Sequence, residues 1–322
     1  MLGRPQRAKK GQDVSREAPA PSGGAALKSG LPPALERQIE KLSSTPLAPG
    51  LYLVATPIGH LGDITLRALF TLAAADAVLC EDTRHSRKLF SAYGIGRKLQ
   101  TYHDFSGEKD RARVLTALQE GKSVALISDA GTPLIADPGY KLVRAAIAGG
   151  FGVYPVPGAS AVIAALVSSG LPTDQVFFGG FLPPKERARR EALETLRGVP
   201  GTLIFYETPS RIEATLTALS LIFPGRLIVL ARELTKMHEA FARGSAQTLM
   251  EEIREYPPLG ELVVLIGPGK KEDVQPADVE QALRDAMARA SLKEAVEEVA
   301  KGLGVGKKQV YNLALRLKDR SS

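Results

Sequence analysis

Tryptophan is absent from the 322-residue chain, cysteine occurs once and histidine four times. A single thiol excludes a disulfide framework and any zinc or iron–sulfur site built on several thiolates. The histidines are scattered, and His238-Glu239 has no second histidine four residues on, so no zincin site exists and no metal is expected. The familiar nucleotide and nucleophile signatures are missing too. No G-x-G-x-x-G follows the first apolar run, which removes the common dinucleotide fingerprint. The segment Gly302 to Lys308 misses the phosphate-loop spacing, and Gly158-Ala159-Ser160-Ala161-Val162 lacks the second glycine of a nucleophile elbow.

A membrane span is also excluded. The one long uncharged stretch, between Arg144 and Asp174, is interrupted by Gly149-Gly150, Gly152, Pro155, Pro157 and Gly158. A strand, a tight turn and a buried helix account for it better than a span. The first 48 residues lack the apolar run of a secretory signal and mix Pro, Gly, Ala and Ser with scattered bases. They read as a disordered leader; Asp13, Glu17, Glu36 and Glu40 argue against an organelle transit peptide. A cytoplasmic protein is expected, with Cys80 packed in its core.

Charge is unevenly distributed. The net charge is +7, yet residues 49–269 carry 23 bases and 22 acids. Residues 1–48 carry 8 bases and 4 acids, and residues 270–322 carry 11 and 9. A nearly neutral body with basic ends suits a small-ligand cleft with an anionic partner at its margins.

From Gly50 onward, short apolar runs alternate with helical spacing. Runs such as Leu51–Ala55, Ala77–Cys80, Val124–Ile127, Val153–Val156, Thr202–Tyr206, Leu227–Ala231 and Leu262–Ile266 read as strands. Between them, segments such as Ile64–Ala75, Tyr140–Ala148, Arg211–Ile222 and Ala246–Glu255 read as helices, the first capped by Asp63. This alternation predicts parallel sheets covered by helices. A boundary near Gly170 divides the body into an N-terminal α/β domain, residues 49–169, and a second, residues 170–269. Residues 275–322 form a small helical module. Its helix, glycine turn and basic helix read either as a helix-turn-helix or as a solvated capping pair.

Polar and glycine-rich segments directly follow the predicted strands. They include Thr56-Pro57-Ile58-Gly59-His60, Glu81-Asp82-Thr83-Arg84-His85 and Ser128-Asp129-Ala130-Gly131-Thr132-Pro133. Pro157-Gly158-Ala159-Ser160, Glu207-Thr208-Pro209-Ser210-Arg211 and Arg232-Glu233-Leu234-Thr235-Lys236 follow the same rule. In open sheets the strand ends form the ligand crevice, and glycine lets backbone approach the ligand.

Together with Asp137-Pro138-Gly139-Tyr140, Gly180-Phe181-Leu182-Pro183 and Phe205-Tyr206-Glu207, these segments resemble the RsmI family of 16S rRNA (cytidine-2′-O)-methyltransferases. The resemblance spans about residues 50–267 and extends to the helical module. It implies a tetrapyrrole-methylase-type fold, two α/β domains with a cleft for S-adenosylmethionine between them, and a homodimer. It also implies methylation of a cytidine ribose in the decoding region of 16S rRNA on the small ribosomal subunit. A methyltransferase of the same fold acting on a corrinoid or tetrapyrrole precursor is the alternative, and the basic C-terminal module argues against it.

By the same resemblance the cofactor pocket uses Pro57, Asp129, Thr132, Ile135, Ser160, Ala161, Phe181 and Leu182. Thr132 sits where relatives carry the acid of a Gly-Asp-Pro turn. Glu81, Arg84, Lys88 and Arg211 are the substrate-binding candidates; Arg84 and Lys88 lie four apart and share a helix face. Lys236, Glu207 and Asp82 are the catalytic candidates, because the 2′-hydroxyl needs a base or a cation at its developing alkoxide. A lysine base would require a lowered pKa; otherwise Lys236 is a surface cation. His60 and Ser210 replace residues usual in the family, Asn and His.

Overall fold

The computed structural model describes residues 30–103, 107–269, 276–303 and 306–320. The expected disordered leader therefore lies outside the described residues as far as residue 29. Its last part departs from expectation, because α1 (Pro33–Ser44) is a helix. Pro33 at its start has a φ suited to a first turn, and Glu36 and Lys41 complement the helix dipole. None of its residues is buried, although Leu35, Ile39 and Leu42 recur at helical spacing. From Leu47 onward the chain forms a separate unit.

Two five-stranded sheets organise that unit. The first contains β1 (Gly50–Val54), β2 (Ala77–Cys80), β3 (Leu99–Thr101), β4 (Ser123–Leu126) and β5 (Val153–Val156), in the order β3-β2-β4-β1-β5. All its pairings are parallel. The helices α2 (Leu66–Ala74), α3 (Thr83–Ala92), α4 (Glu108–Gln119) and α5 (Tyr140–Ala148) fall between its strands. The crossover helices cover both faces. Leu72, Val78 and Phe90 pack on one, and Leu79, Val114, Leu126 and Leu142 on the other. Helix α2 starts later than the sequence suggests. Residues Leu61–Asp63 form a 3-10 turn capped by His60, and Thr65 caps α2 by accepting from the Ala68 N–H at 3.1 Å.

The second sheet has the order β6-β7-β10-β8-β9. Its strands are β6 (Val176–Phe181), β7 (Thr202–Glu207), β8 (Ile228–Arg232), β9 (Ala240–Gly244) and β10 (Leu262–Ile266). Helices α6 (Ala161–Ser169), α7 (Glu186–Thr195), α8 (Ile212–Ile222) and α9 (Ala246–Glu255) accompany it. The expectation of parallel sheets fails here. Only β6 and β7 pair in parallel; β10 runs antiparallel to both neighbours, and β8 to β9. The physical reason is the short link 233–239 between β8 and β9. It contains no crossover helix and permits only an antiparallel return.

Helix α6 shifts the expected boundary near Gly170. Its residues Val162, Ala165 and Leu166 pack with Ile204, Val229, Val263 and Leu265 of the second sheet. Its C-terminus is held there as well: Arg243 of β9 donates to the Ser168 and Ser169 carbonyls at 2.6 and 3.0 Å. A cation on the last helical carbonyls is favourable. By packing, the chain changes sheets before Ala161. Helices α7, α8 and α9 bury the opposite face around Leu193, Phe205, Leu216, Leu219 and Leu249.

The C-terminal helices α10 (Pro276–Met287), α11 (Leu292–Leu303) and α12 (Lys307–Arg320) have their own core. Leu283, Ala286, Val296, Val299, Val310, Ala314 and Leu317 form it. No described helix is long and apolar enough to cross a membrane.

Leu166 anchors α6 to the second sheet. Its replacement by alanine is expected to destabilise the protein by about 2–5 kcal/mol, measured as a lowered midpoint in thermal or urea unfolding.

Candidate active site

The strand-end segments of both sheets meet around two adjoining cavities. The first, of about 250 Å³, is lined by Ile58, Ala130, Gly131, Thr132, Ile135, Ala136, Asp137, Ser160, Ala161, Phe181, Tyr206, Glu207, Thr208 and residues 260–263. The second, of about 370 Å³, is lined by Thr56 to Gly59, Leu61, His85, Ser86, Lys88, Leu89, Ile127 to Ala130, Lys236 and Glu261. Ile58, Ala130 and Glu261 border both, so the cavities are neighbours.

Five of the expected cofactor residues, Thr132, Ile135, Ser160, Ala161 and Phe181, line the first cavity. Pro57 and Asp129 line the second instead. Leu182 lines neither; it is buried, and its carbonyl accepts from the Arg211 guanidinium. Two loops are tied at the rim. Thr56 and Gly131 exchange backbone hydrogen bonds at 2.8 and 3.0 Å. The Thr132 hydroxyl donates to the Ala159 carbonyl at 3.1 Å, so this side chain braces the β5–α6 turn in place of the family's acid. Asp129 accepts the Asp82 backbone N–H at 3.1 Å. Tyr206 packs edge-on against Phe178 and Phe181, and burial, aided by Asp137 and Glu261, pushes its phenol up to about 12.

Lys236 sits in an unusual loop. Glu233 and Thr235 both have positive φ, at 48° and 63°, a conformation that needs external support in residues other than glycine. The support is visible. Glu233 pairs with Glu261 through the backbone, its carboxylate accepts the Glu261 N–H at 2.9 Å, and Thr235 Oγ1 accepts the His60 N–H at 3.1 Å. The Lys236 ammonium donates to Glu233 at 2.9 Å and to Glu261 at 3.1 Å. Burial lowers its pKa, but the hydrogen bonds from Glu233 and Glu261 outweigh that effect and the net shift is upward. Lys236 is therefore held as a cation, and its upward shift is the opposite of what a lysine base requires.

Two other catalytic candidates are consumed locally. Asp82 caps α3 by accepting the Arg84 N–H at 2.7 Å and pairs with the Arg84 guanidinium at 2.8 Å. Those hydrogen bonds bring its pKa down to about 2, and it lines neither cavity. Glu207 borders the first cavity, but its side chain is fully buried. Its carboxylate accepts from Thr208 N and Thr215 Oγ1 at 2.9 and 2.7 Å and pairs with Arg211 at 3.3 Å. Glu207 and Arg211 thus brace the start of α8. Glu81 and Arg84 also lie outside both cavities. Among the substrate-side candidates only Lys88 enters the second one, with His85 of the same helix. No described His, Cys, Asp and Glu group could hold a metal.

Glu261 was not visible as a site residue in the sequence. Antiparallel β10 places Leu262 opposite both Glu207 and Arg232, which brings the residue before it to the strand ends of β7 and β8. His60 shows why it can stand in for Asn: its Nδ1 accepts the Gly62 N–H at 3.1 Å, a capping role open to either side chain.

The tetrapyrrole (corrin/porphyrin) methylase family matches residues 50–250, and the RsmI C-terminal HTH domain matches residues 273–318. A ribosomal RNA small subunit methyltransferase I of Mesorhizobium japonicum is 48% identical over 87% of this chain and 96% of its own length. One of Erythrobacter litoralis is 50% identical over 86% and 98%. The chain belongs to the RsmI family. A crystal structure of diphthine synthase, 15% identical, covers 67% of this chain and 89% of its own with a TM-score of 0.53, which confirms the tetrapyrrole-methylase fold.

The lysine loop depends on Gly59. A Cβ at this position would lie 2.5 Å from Lys236 Cγ and 2.9 Å from the Leu234 carbonyl oxygen. Gly59→Ala is expected to displace the lysine loop and destabilise the fold by about 1–3 kcal/mol, measurable as a lowered Tm. The raised pKa of Lys236 also predicts an alkaline effect. Its ion pairs stabilise the folded state below the ordinary lysine value of 10.5, and that contribution disappears as pH rises through the higher folded value. The Tm difference between wild type and Lys236→Met should be constant near neutrality and shrink only in that alkaline range.

Proposed function

We propose that this protein transfers a methyl group from S-adenosylmethionine to the ribose 2′-hydroxyl of a cytidine in the decoding region of 16S rRNA. The observation that carries the reading is the pair of adjoining cavities with the fixed Lys236 cation bordering the second. The first cavity fits the cofactor: small and apolar walls from Ile58, Ile135, Ala161 and Phe181 suit its adenosine part, and Asp137 and Glu261 complement its positive charge. Thr132, Ile135, Ser160, Ala161 and Phe181 would hold it, with Pro57 and Asp129 at the junction. When bound, it supplies an electrophilic methyl group on a sulfonium.

The protein's own part is positioning and electrostatics. The second cavity receives the ribose, with Lys88 and His85 of α3 at its wall. Lys236 stays protonated at neutral pH and faces the oxygen that gains negative charge. Glu261, the carboxylate bordering both cavities, accepts the hydroxyl proton as attack proceeds. The C-terminal module adds an RNA contact through α12, which exposes Lys308, Tyr311 and Leu315 away from the module core. A corrinoid-type substrate is not favoured, since the relatives that match along most of the chain are rRNA methyltransferases. The protein works in the cytoplasm as a homodimer; the exposed apolar side chains of Ile147, Ile163 and Val167 support pairing.

Purified protein, labelled cofactor and small ribosomal subunits test the reading. Label should be recovered as 2′-O-methylcytidine; label on a base or on protein would refute it. Lys236→Met should lower kcat by about 10²–10³ with little change in KM for RNA. Deleting residues 275–322 should instead weaken RNA binding and flatten its salt dependence.

A further inference from the structure

The second cavity holds a carboxylate that the reaction steps above do not use. Asp129 follows β4, the central strand of the first sheet, and lines the second cavity but not the first. It is half-buried, and one of its carboxylate oxygens accepts the Asp82 backbone N–H at 3.1 Å. No described residue hydrogen-bonds to the other oxygen. Glu261, the other carboxylate on this cavity, is by contrast paired with Lys236 at 3.1 Å. A polar acceptor kept open in a partly apolar pocket is the kind of group that fixes a ligand's orientation.

The surroundings indicate the ligand. Pro57, Ile58, Leu61, Leu89 and Ile127 give the same cavity apolar walls, which suit a flat ring. Its volume, about 370 Å³, lies in the range of small-molecule pockets. Lys236 enters the cavity from the second sheet and Asp129 from the first. A nucleoside therefore finds a cation for its sugar and an acceptor for its base. Only a donor complements that acceptor. Cytosine presents its 4-amino group on the base-pairing edge, where uracil presents a carbonyl oxygen. A base taken out of its stack is read on that edge.

We infer that Asp129 is the base-reading residue of the site: its open carboxylate oxygen accepts the 4-amino group of the target cytosine. This rests on the cytidine substrate proposed above. The hydrogen bond from Asp82 orients the carboxylate, so the free oxygen is presented ready-made. Uracil in the same place would set its O4 against that oxygen, two acceptors with no proton between them. A site built around a substrate N–H rejects an analogue without it, because its own polar group is left unpaired. Base discrimination thus belongs to Asp129, and the chemistry to Lys236 and Glu261.

Asp129→Asn tests this with almost no change of shape. The amide oxygen can keep the Asp82 N–H, which turns the amide NH2, a donor, toward the base. Methylation is measured on small subunits carrying either cytidine or uridine at the target, with Tm and S-adenosylmethionine affinity in parallel. Wild type should prefer cytidine. In the variant, kcat/KM on cytidine should fall and the cytidine-to-uridine ratio drop about tenfold or more, with Tm and cofactor affinity unchanged. A ratio kept at its wild-type value would overturn the inference, whether activity is intact or lost equally on both bases. Loss of cofactor affinity with that ratio kept would assign Asp129 to the cofactor, with the same consequence. Should the variant not fold, wild type tests the same contact. Its kcat/KM should fall about tenfold or more on subunits whose target cytidine lacks the 4-amino group; equal rates with and without that group overturn the inference. Failure of wild type to methylate cytidine subunits would sink the proposed function as well, whereas methylation with an unaltered base preference in Asp129→Asn sinks this assignment alone.

Discussion

The close approach of the Leu234–Lys236 segment to Gly59 is the constraint from which the cleft follows. A backbone without a side chain on one sheet lets a loop of the other lie against it, with His60 and Thr235 joined by a hydrogen bond. That contact fixes the loop, and the loop fixes Lys236. The strained conformations at Glu233 and Thr235 are held because the same residues pair with Glu261 and His60. Gly260 takes part in this arrangement, since only the lack of a Cβ leaves room for the Glu233 carboxylate beside it. Strain at a site that the surroundings over-determine is a common signature of function.

The electrostatics follow from the same geometry. One ammonium held between two carboxylates has little freedom to move. Such preorganisation suits a reaction in which charge develops on an oxygen, because no reorientation is needed at that moment. A nearly neutral body is the consequence along the sequence: the basic excess resides at the ends of the chain. The cleft itself places the carboxylates of Asp137 and Glu261 beside the first cavity.

Much of the fold was legible. Tyr140–Ala148, Val153–Val156, Ala246–Glu255 and Leu262–Ile266 are bounded in the structure as their apolar patterns and flanking punctuation indicate. The short strands β3 and β9 were not seen, because Leu99–Thr101 and Ala240–Gly244 are too brief or too mixed to show a period. Strand direction in the second sheet was also hidden, and with it the position of Glu261. At the site, the strand-end rule found both cavities but could not tell which carboxylates were already engaged. Asp82 and Glu207 have the right chemistry, yet a cap and a buried pairing use them up. Lys236 was found by position, and its ionisation followed only from Glu233 and Glu261.

Helix α6 has one more consequence. The chain passes between the two sheets once, and α6, although it leaves from β5, is packed and capped by the second sheet. It is therefore cargo of the half that comes after it. The crossing, residues 157–160, is where Ser160 borders the first cavity and the Ala159 carbonyl receives the Thr132 hydroxyl. The covalent crossing between the sheets and the wall of the first cavity are thus the same few residues.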